Sequence, residues 1–145
     1  MGKLRRRETG GGAPRGTARR TLSAARFFFE QAGRSEPRDI EHHEYYVEAA
    51  IVFARMVLEH LQTEFSGKRG AERWIQNLEE NPLIEDLKKT RNYLSHERPI
   101  GTTPSEKEGF YTDEPSPETN RAHKMLSGQL SEIETVVNQC EKLFK

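Results

Sequence analysis

Arg91-Asn92-Tyr93-Leu94-Ser95-His96 places a permanent cation, an amide and an imidazole within six residues. Those groups suffice to cut RNA without a metal ion. An imidazole moves the 2′-hydroxyl proton or the leaving-group proton, and a guanidinium holds the phosphate while charge builds on it. Histidine suits the transfer because its pKa lies near working pH. Asn92 can orient His96 or donate to a phosphate oxygen. Such a reaction leaves a 2′,3′-cyclic phosphate and a 5′-hydroxyl. Arg91 and His96 are therefore the candidate catalytic residues, with Asn92 as their auxiliary.

The bare Arg-x4-His spacing also occurs from Arg38 to His43 and from Arg55 to His60, so spacing alone selects nothing. Context separates the third occurrence. Asn81 and Pro82 read as the N-cap and first residue of a helix that runs through Leu83, Ile84, Leu87 and Leu94 toward His96, with Pro99 stopping it soon after. On that helix Asn92 and His96 are i and i+4 on one face, and Arg91 is displaced by about 100° from Asn92. Arg91 is also i+4 from Leu87 and i+7 from Ile84, which draws its stem toward the apolar stripe. A partly buried Arg needs an anion. The competing reading pairs Arg91 locally with Asp86 or Glu97 and leaves His96 interacting with the helix dipole.

The elements that must position these residues are helical. From about Thr21 onward the long segments read at the helical period, and none alternates as a half-buried strand does. The first helix is expected over 18–33, with Leu22, Ala25, Phe28, Phe29 and Ala32 on one face and Phe27 widening it. The second, over 39–66, starts from Asp39 and carries Tyr46, Val47, Ala50, Ile51, Ala54, Val57, Leu58, Leu61 and Phe65. A short helix over 69–80 follows, with Ala71, Trp74, Ile75 and Leu78 read as core. The last helix opens at Ser116 and Pro117 and runs almost to Lys145, through Ala122, Leu126, Leu130, Ile133, Val137, Cys140 and Phe144. The expectation is an all-α fold, an antiparallel four- or five-helix bundle over residues 20–145, interrupted by a long acidic loop at 97–116. Met125, Val136 and Leu143, like Phe27 to Phe29, widen the apolar faces beyond one bundle contact and favour a homodimer.

With those elements in place, the six-residue motif resembles the Arg-polar-x-x-x-His signature of HEPN domains. The resemblance implies a small all-α bundle that dimerises, with Arg91 and His96 catalytic, Asn92 auxiliary, and the motifs of two subunits meeting at their interface. It implies a metal-independent endoribonuclease acting on RNA, of the kind used as toxin or defence components, with an antitoxin protein as partner. In the toxin branch paired with a nucleotidyltransferase antitoxin, a Tyr lies two positions after the His. Here that position is Arg98. A non-catalytic helical module that binds a partner protein or nucleotide is the alternative function.

Charge and composition bound the rest. The 145 residues carry 23 basic and 23 acidic side chains. Residues 1–20 nevertheless hold seven basic groups against Glu8, and Gly10, Gly11, Gly12, Pro14 and Gly16 oppose helical order there. Residues 1–19 read as a flexible basic arm, and Arg5, Arg6, Arg7, Arg19, Arg20 and Arg98 as candidate nucleic-acid contacts. No apolar run approaches the roughly 20 residues of a membrane span. The basic start lacks the apolar stretch of a signal peptide, and Cys140 is the only cysteine, so a reducing, cytoplasmic setting is expected. No cofactor is expected. Asp39, His42 and His43 are the nearest approach to a metal set, without a matching third pair, so none is expected. His60 is read as bordering the core, His123 as lying on a solvated face, and Cys140 as a small apolar residue.

Overall fold

The computed structural model describes residues 14–35, 40–96 and 117–144, and of residues 40, 92–96, 117, 118 and 144 only the backbone. The loop at 97–116 and residues 1–13 lie outside the described residues. Five helices and a closing turn account for most of the rest: α1 (Thr17–Arg34), α2 (Ile40–Glu64), α3 (Arg69–Glu79), α4 (Pro82–His96), α5 (Pro117–Glu141) and a 3-10 turn (Lys142–Phe144). Among the described residues there is no strand, and the all-α expectation holds.

Each helix buries the stripe that its spacing provides. Val47, Ala50, Ile51, Ala54, Val57, Leu58, Leu61 and Phe65 from α2 join Leu22, Ala25 and Ala32 of α1, Ile84 and Leu87 of α4, and Leu126, Leu130, Ile133 and Val137 of α5 in one core. Polar contacts fix the directions. Ala18 and Thr21 of α1 meet Glu64 and His60 of α2, while the Ala32 carbonyl meets His43, so these two helices are antiparallel. Arg19 and Arg26 meet Glu141 and Glu134, which sets α5 antiparallel to α1.

The α3 and α4 helices run in turn antiparallel to α5. Gly70 lies under Leu143, Asn81 donates to Glu132 at 2.9 Å, and Gln129 donates to the Leu83 carbonyl at 3.0 Å. The break between them is chemical: Asn81 Oδ1 accepts the Leu83 amide at 2.9 Å, and Pro82 has no amide to lose at the first helical position. Gly67, with φ of 82°, closes α2 in the left-handed region where glycine is cheapest.

The start of α1 is capped from outside its own sequence. Its N-cap residue, Gly16, has no side chain, and Glu64 at the far end of α2 instead accepts from the Gly16 amide at 2.7 Å and the Ala18 amide at 2.8 Å. A carboxylate there satisfies two orphan donors and faces the positive end of the helix dipole. Glu64→Ala is expected to cost about 1–2 kcal/mol, read as a shift of the urea midpoint at constant slope.

Three expectations about the core need correction. Trp74 is not core: Ala71, Ile75 and Leu78 take the buried face of α3, and Trp74, about 100° round from Ile75, stays 41% exposed. His123 does not lie on a solvated face; its ring is drawn in against Phe29 and His43. Val136, expected to widen an outer face, is buried within the chain, whereas Phe27 and Leu143 remain exposed.

Candidate functional site

Arg91 lies near the end of α4 on the side that carries Ile84 and Leu87, both buried, and is itself part-buried. The spacing foresaw that placement. Asp86, one of its expected partners, is otherwise engaged. Five residues place Asp86 about 140° from Arg91 around the axis, and it turns to α5, where Arg121 Nη2 lies at 2.6 Å and Gln129 Nε2 at 3.5 Å. The same pairing raises the Arg121 pKa above its ordinary value, chiefly through the hydrogen bond. Glu97, the other expected partner, lies outside the described residues. Among the described residues no carboxylate pairs with Arg91, so its charge has no internal counter-ion there.

Asn92 and His96 belong to the α4 backbone, and their side chains lie outside the described residues. In register they continue the row of Glu85 and Lys89, both exposed. His96 therefore sits about 140° from Arg91 around the helix axis. The motif straddles the end of α4.

Of the candidate nucleic-acid contacts, Arg5, Arg6, Arg7 and Arg98 lie outside the described residues. Arg19 does not belong to a flexible arm. It sits in the first turns of α1, bonded to Glu141 at 2.9 Å and to Asn138, and that hydrogen bond to Glu141 raises its pKa. The helix begins at Thr17 and so takes in the last three residues of the expected arm, because the Glu64 cap orders it. Arg20 is exposed on the same helix.

The histidines outside the motif have structural partners. Thr21 Oγ1 donates to the Thr17 carbonyl at 3.0 Å and lies 2.7 Å from His60 Nδ1, which fits acceptance from an Nδ1–H. His43 Nδ1 donates to the Ala32 carbonyl at 2.8 Å. Asp39 lies outside the described residues, and among the described residues no three His, Cys, Asp or Glu side chains are grouped to hold a metal. Cys140 is buried, and burial first pushes its thiol up to about 11, so it stays protonated at neutral pH.

His123 carries a testable cost. Its ring centroid lies 5.2 Å from those of Phe29 and His43, and its Nε2 is buried without a hydrogen-bond partner among the described residues. Burial first, and His43 second, lower its pKa from the usual 6.5. The unfolded chain therefore takes up the proton more readily than the folded one, and stability falls as pH drops through about 6.5 until the folded-state value is reached. Urea unfolding at pH 7.5 and 5.5 should show a smaller acid loss in His123→Phe than in the parent. Equal losses would assign the acid sensitivity elsewhere.

One groove was not foreseen. Gln62 of α2, Phe65 and Ser66 just after it, Glu72, Ile75, Gln76 and Glu79 of α3, and Glu80 at its C-cap line about 390 Å³. Its floor is apolar and its rim acidic, although Glu79 is paired with Lys88. Such a rim repels phosphate. The glutamate spacing on α3 is visible in the sequence, but the placing of that face against the end of α2 is not. Among the described residues no helix is long and apolar enough to cross a membrane.

Comparison with protein-family models, with curated proteins and with solved structures gives no match.

Proposed function

We propose that the chain is a HEPN-type endoribonuclease whose cutting site is the end of α4, with Arg91 as the phosphate-binding cation, His96 as the proton-transfer group and Asn92 as their auxiliary. The observation that carries this reading is that Arg91 is part-buried without a carboxylate partner among the described residues, while Asp86, on another side of α4, is held by Arg121. A cation placed this way gains most from an anion supplied by a ligand.

In the proposed reaction His96 accepts the 2′-hydroxyl proton, the freed oxygen attacks phosphorus, and the 5′-oxygen departs and takes up a proton. Arg91 balances the charge that accumulates on the non-bridging oxygens. No metal ion takes part in that scheme. The angular separation of Arg91 and His96 favours a site completed by a second copy: two α4 ends meeting about a twofold axis bring the guanidinium of one against the imidazole of the other. An antitoxin partner and a defence role belong to the same reading.

The test is incubation of the full chain with end-labelled single-stranded RNA in excess EDTA. Cleavage to 2′,3′-cyclic phosphate and 5′-hydroxyl ends, blocked by 2′-deoxy substitution at the cut position, is the expected result. Intact RNA, with the protein folded and dimeric, would remove the enzyme reading and leave the helical binding module.

A further inference from the structure

We infer that the start of α3 and the closing 3-10 turn form a separate docking surface for single-stranded RNA, in which a base stacks on Trp74 while Arg69, Arg73 and Lys142 meet phosphates. Trp74 is the only tryptophan of the chain, and 41% of it is exposed although the helix that carries it has a well-filled inner stripe. One turn before it, Gly70 leaves room for Leu143, whose Cδ2 lies 3.4 Å from where a Cβ would stand. Trp74 and Leu143 thus border one open apolar surface, since residues four apart share a helix face.

Cations surround that surface. Arg73 adjoins Trp74, Arg69 is one turn before Arg73, and Lys142 adjoins Leu143; all three are exposed, and none is in an ion pair with a described residue. The acids nearby are turned away or occupied. Glu72 and Glu79 line the groove about 140–160° round α3 from Trp74, although Glu72 lies only about 60° from Arg69; Glu79 is paired with Lys88, and Glu141, next to Lys142, is held by Arg19. Tyr45, another exposed ring, offers the contrast: it donates to Glu41, an acidic setting that repels phosphate.

An aromatic face among unneutralised cations is what sequence-tolerant binding of single strands requires, because every base has a π-face and every linkage a charge. Gly70 packs at Leu143 and Asp86 of α4 pairs with Arg121, so the two regions lie at opposite ends of α5, about 30 Å apart at 1.5 Å per residue. The surface is therefore distinct from the α4 end, and it stands whether or not that end cuts RNA.

The test is a fluorescence titration of the full chain with an unstructured 12-nucleotide RNA that is 2′-O-methylated throughout, so that cleavage plays no part. Saturable quenching of Trp74 is expected, with a salt slope whose Trp74-side share is about −2 for three cations. Trp74→Leu, followed by anisotropy of labelled RNA, should bind about tenfold more weakly. Arg69→Gln with Arg73→Gln should lose about 1.4 of the slope. Inorganic polyphosphate should not quench. Four results would overturn the inference: no quenching by RNA, equal quenching by polyphosphate, unchanged affinity in both folded variants, or a blue shift on anionic vesicles in place of a response to RNA.

Discussion

His96→Ala is expected to lower the rate of EDTA-resistant RNA cleavage by about 10²–10⁴-fold, and Arg91→Ala by about 10²–10³-fold, with both proteins folded. The first removes the group that moves protons, and the second removes charge stabilisation that grows as the transition state forms. Arg91→Lys should not restore the rate. A single ammonium on a flexible stem replaces neither the planar fork nor its fixed reach along the flank of α4. Because Arg91 makes no ion pair with a described residue, its removal breaks no salt bridge in the bundle there, so a loss of cutting is not a loss of fold. Mixing the two dead variants is informative as well. If one copy supplies the guanidinium and the other the imidazole, mixed dimers regain one complete site and part of the parent rate.

Leu126→Ala should destabilise the domain by about 2–5 kcal/mol. Leu126 is completely buried in α5, within a core that also takes residues from α1, α2, α3 and α4. Removing three methylene-sized groups there forfeits their transfer energy and leaves a cavity that five packed helices cannot close. For a domain of this size the expected fall in Tm is on the order of 10 °C. The check is thermal and urea unfolding beside Gln139→Ala on the same helix, a part-buried surface position, for which the change should stay within about 0.5 kcal/mol. Comparable effects at both positions would contradict a single core centred on the inner stripe of α5.

The helices were legible because their signals are local. Asn81-Pro82 announces the start of α4, and the spacing of Val47, Ala50, Ile51 and Ala54 announces the inner face of α2. The part-burial of Arg91 was legible for the same reason, as it follows from its offset to Ile84 and Leu87. What escaped was every feature made by residues distant in sequence. Glu64 caps a helix that begins 47 residues earlier in the chain, and no spacing rule connects it to Gly16. The inward turn of His123 depends on Phe29 and His43, and the engagement of Asp86 depends on Arg121. Trp74 was misplaced by a different cause. A large aromatic at helical spacing reads as core, but Ala71, Ile75 and Leu78 already fill the narrow face that an 11-residue helix presents.

The most direct measurement of the central claim is an NMR titration of the full chain with an uncleavable RNA, following the Arg91 side-chain Nε–Hε resonance and the His96 imidazole together. The account requires both to shift along one binding curve, and to remain still when the RNA is replaced by a neutral sugar polymer. If RNA binds while either group keeps its free-state resonance, the two do not serve one phosphodiester, and the end of α4 is not the cutting site.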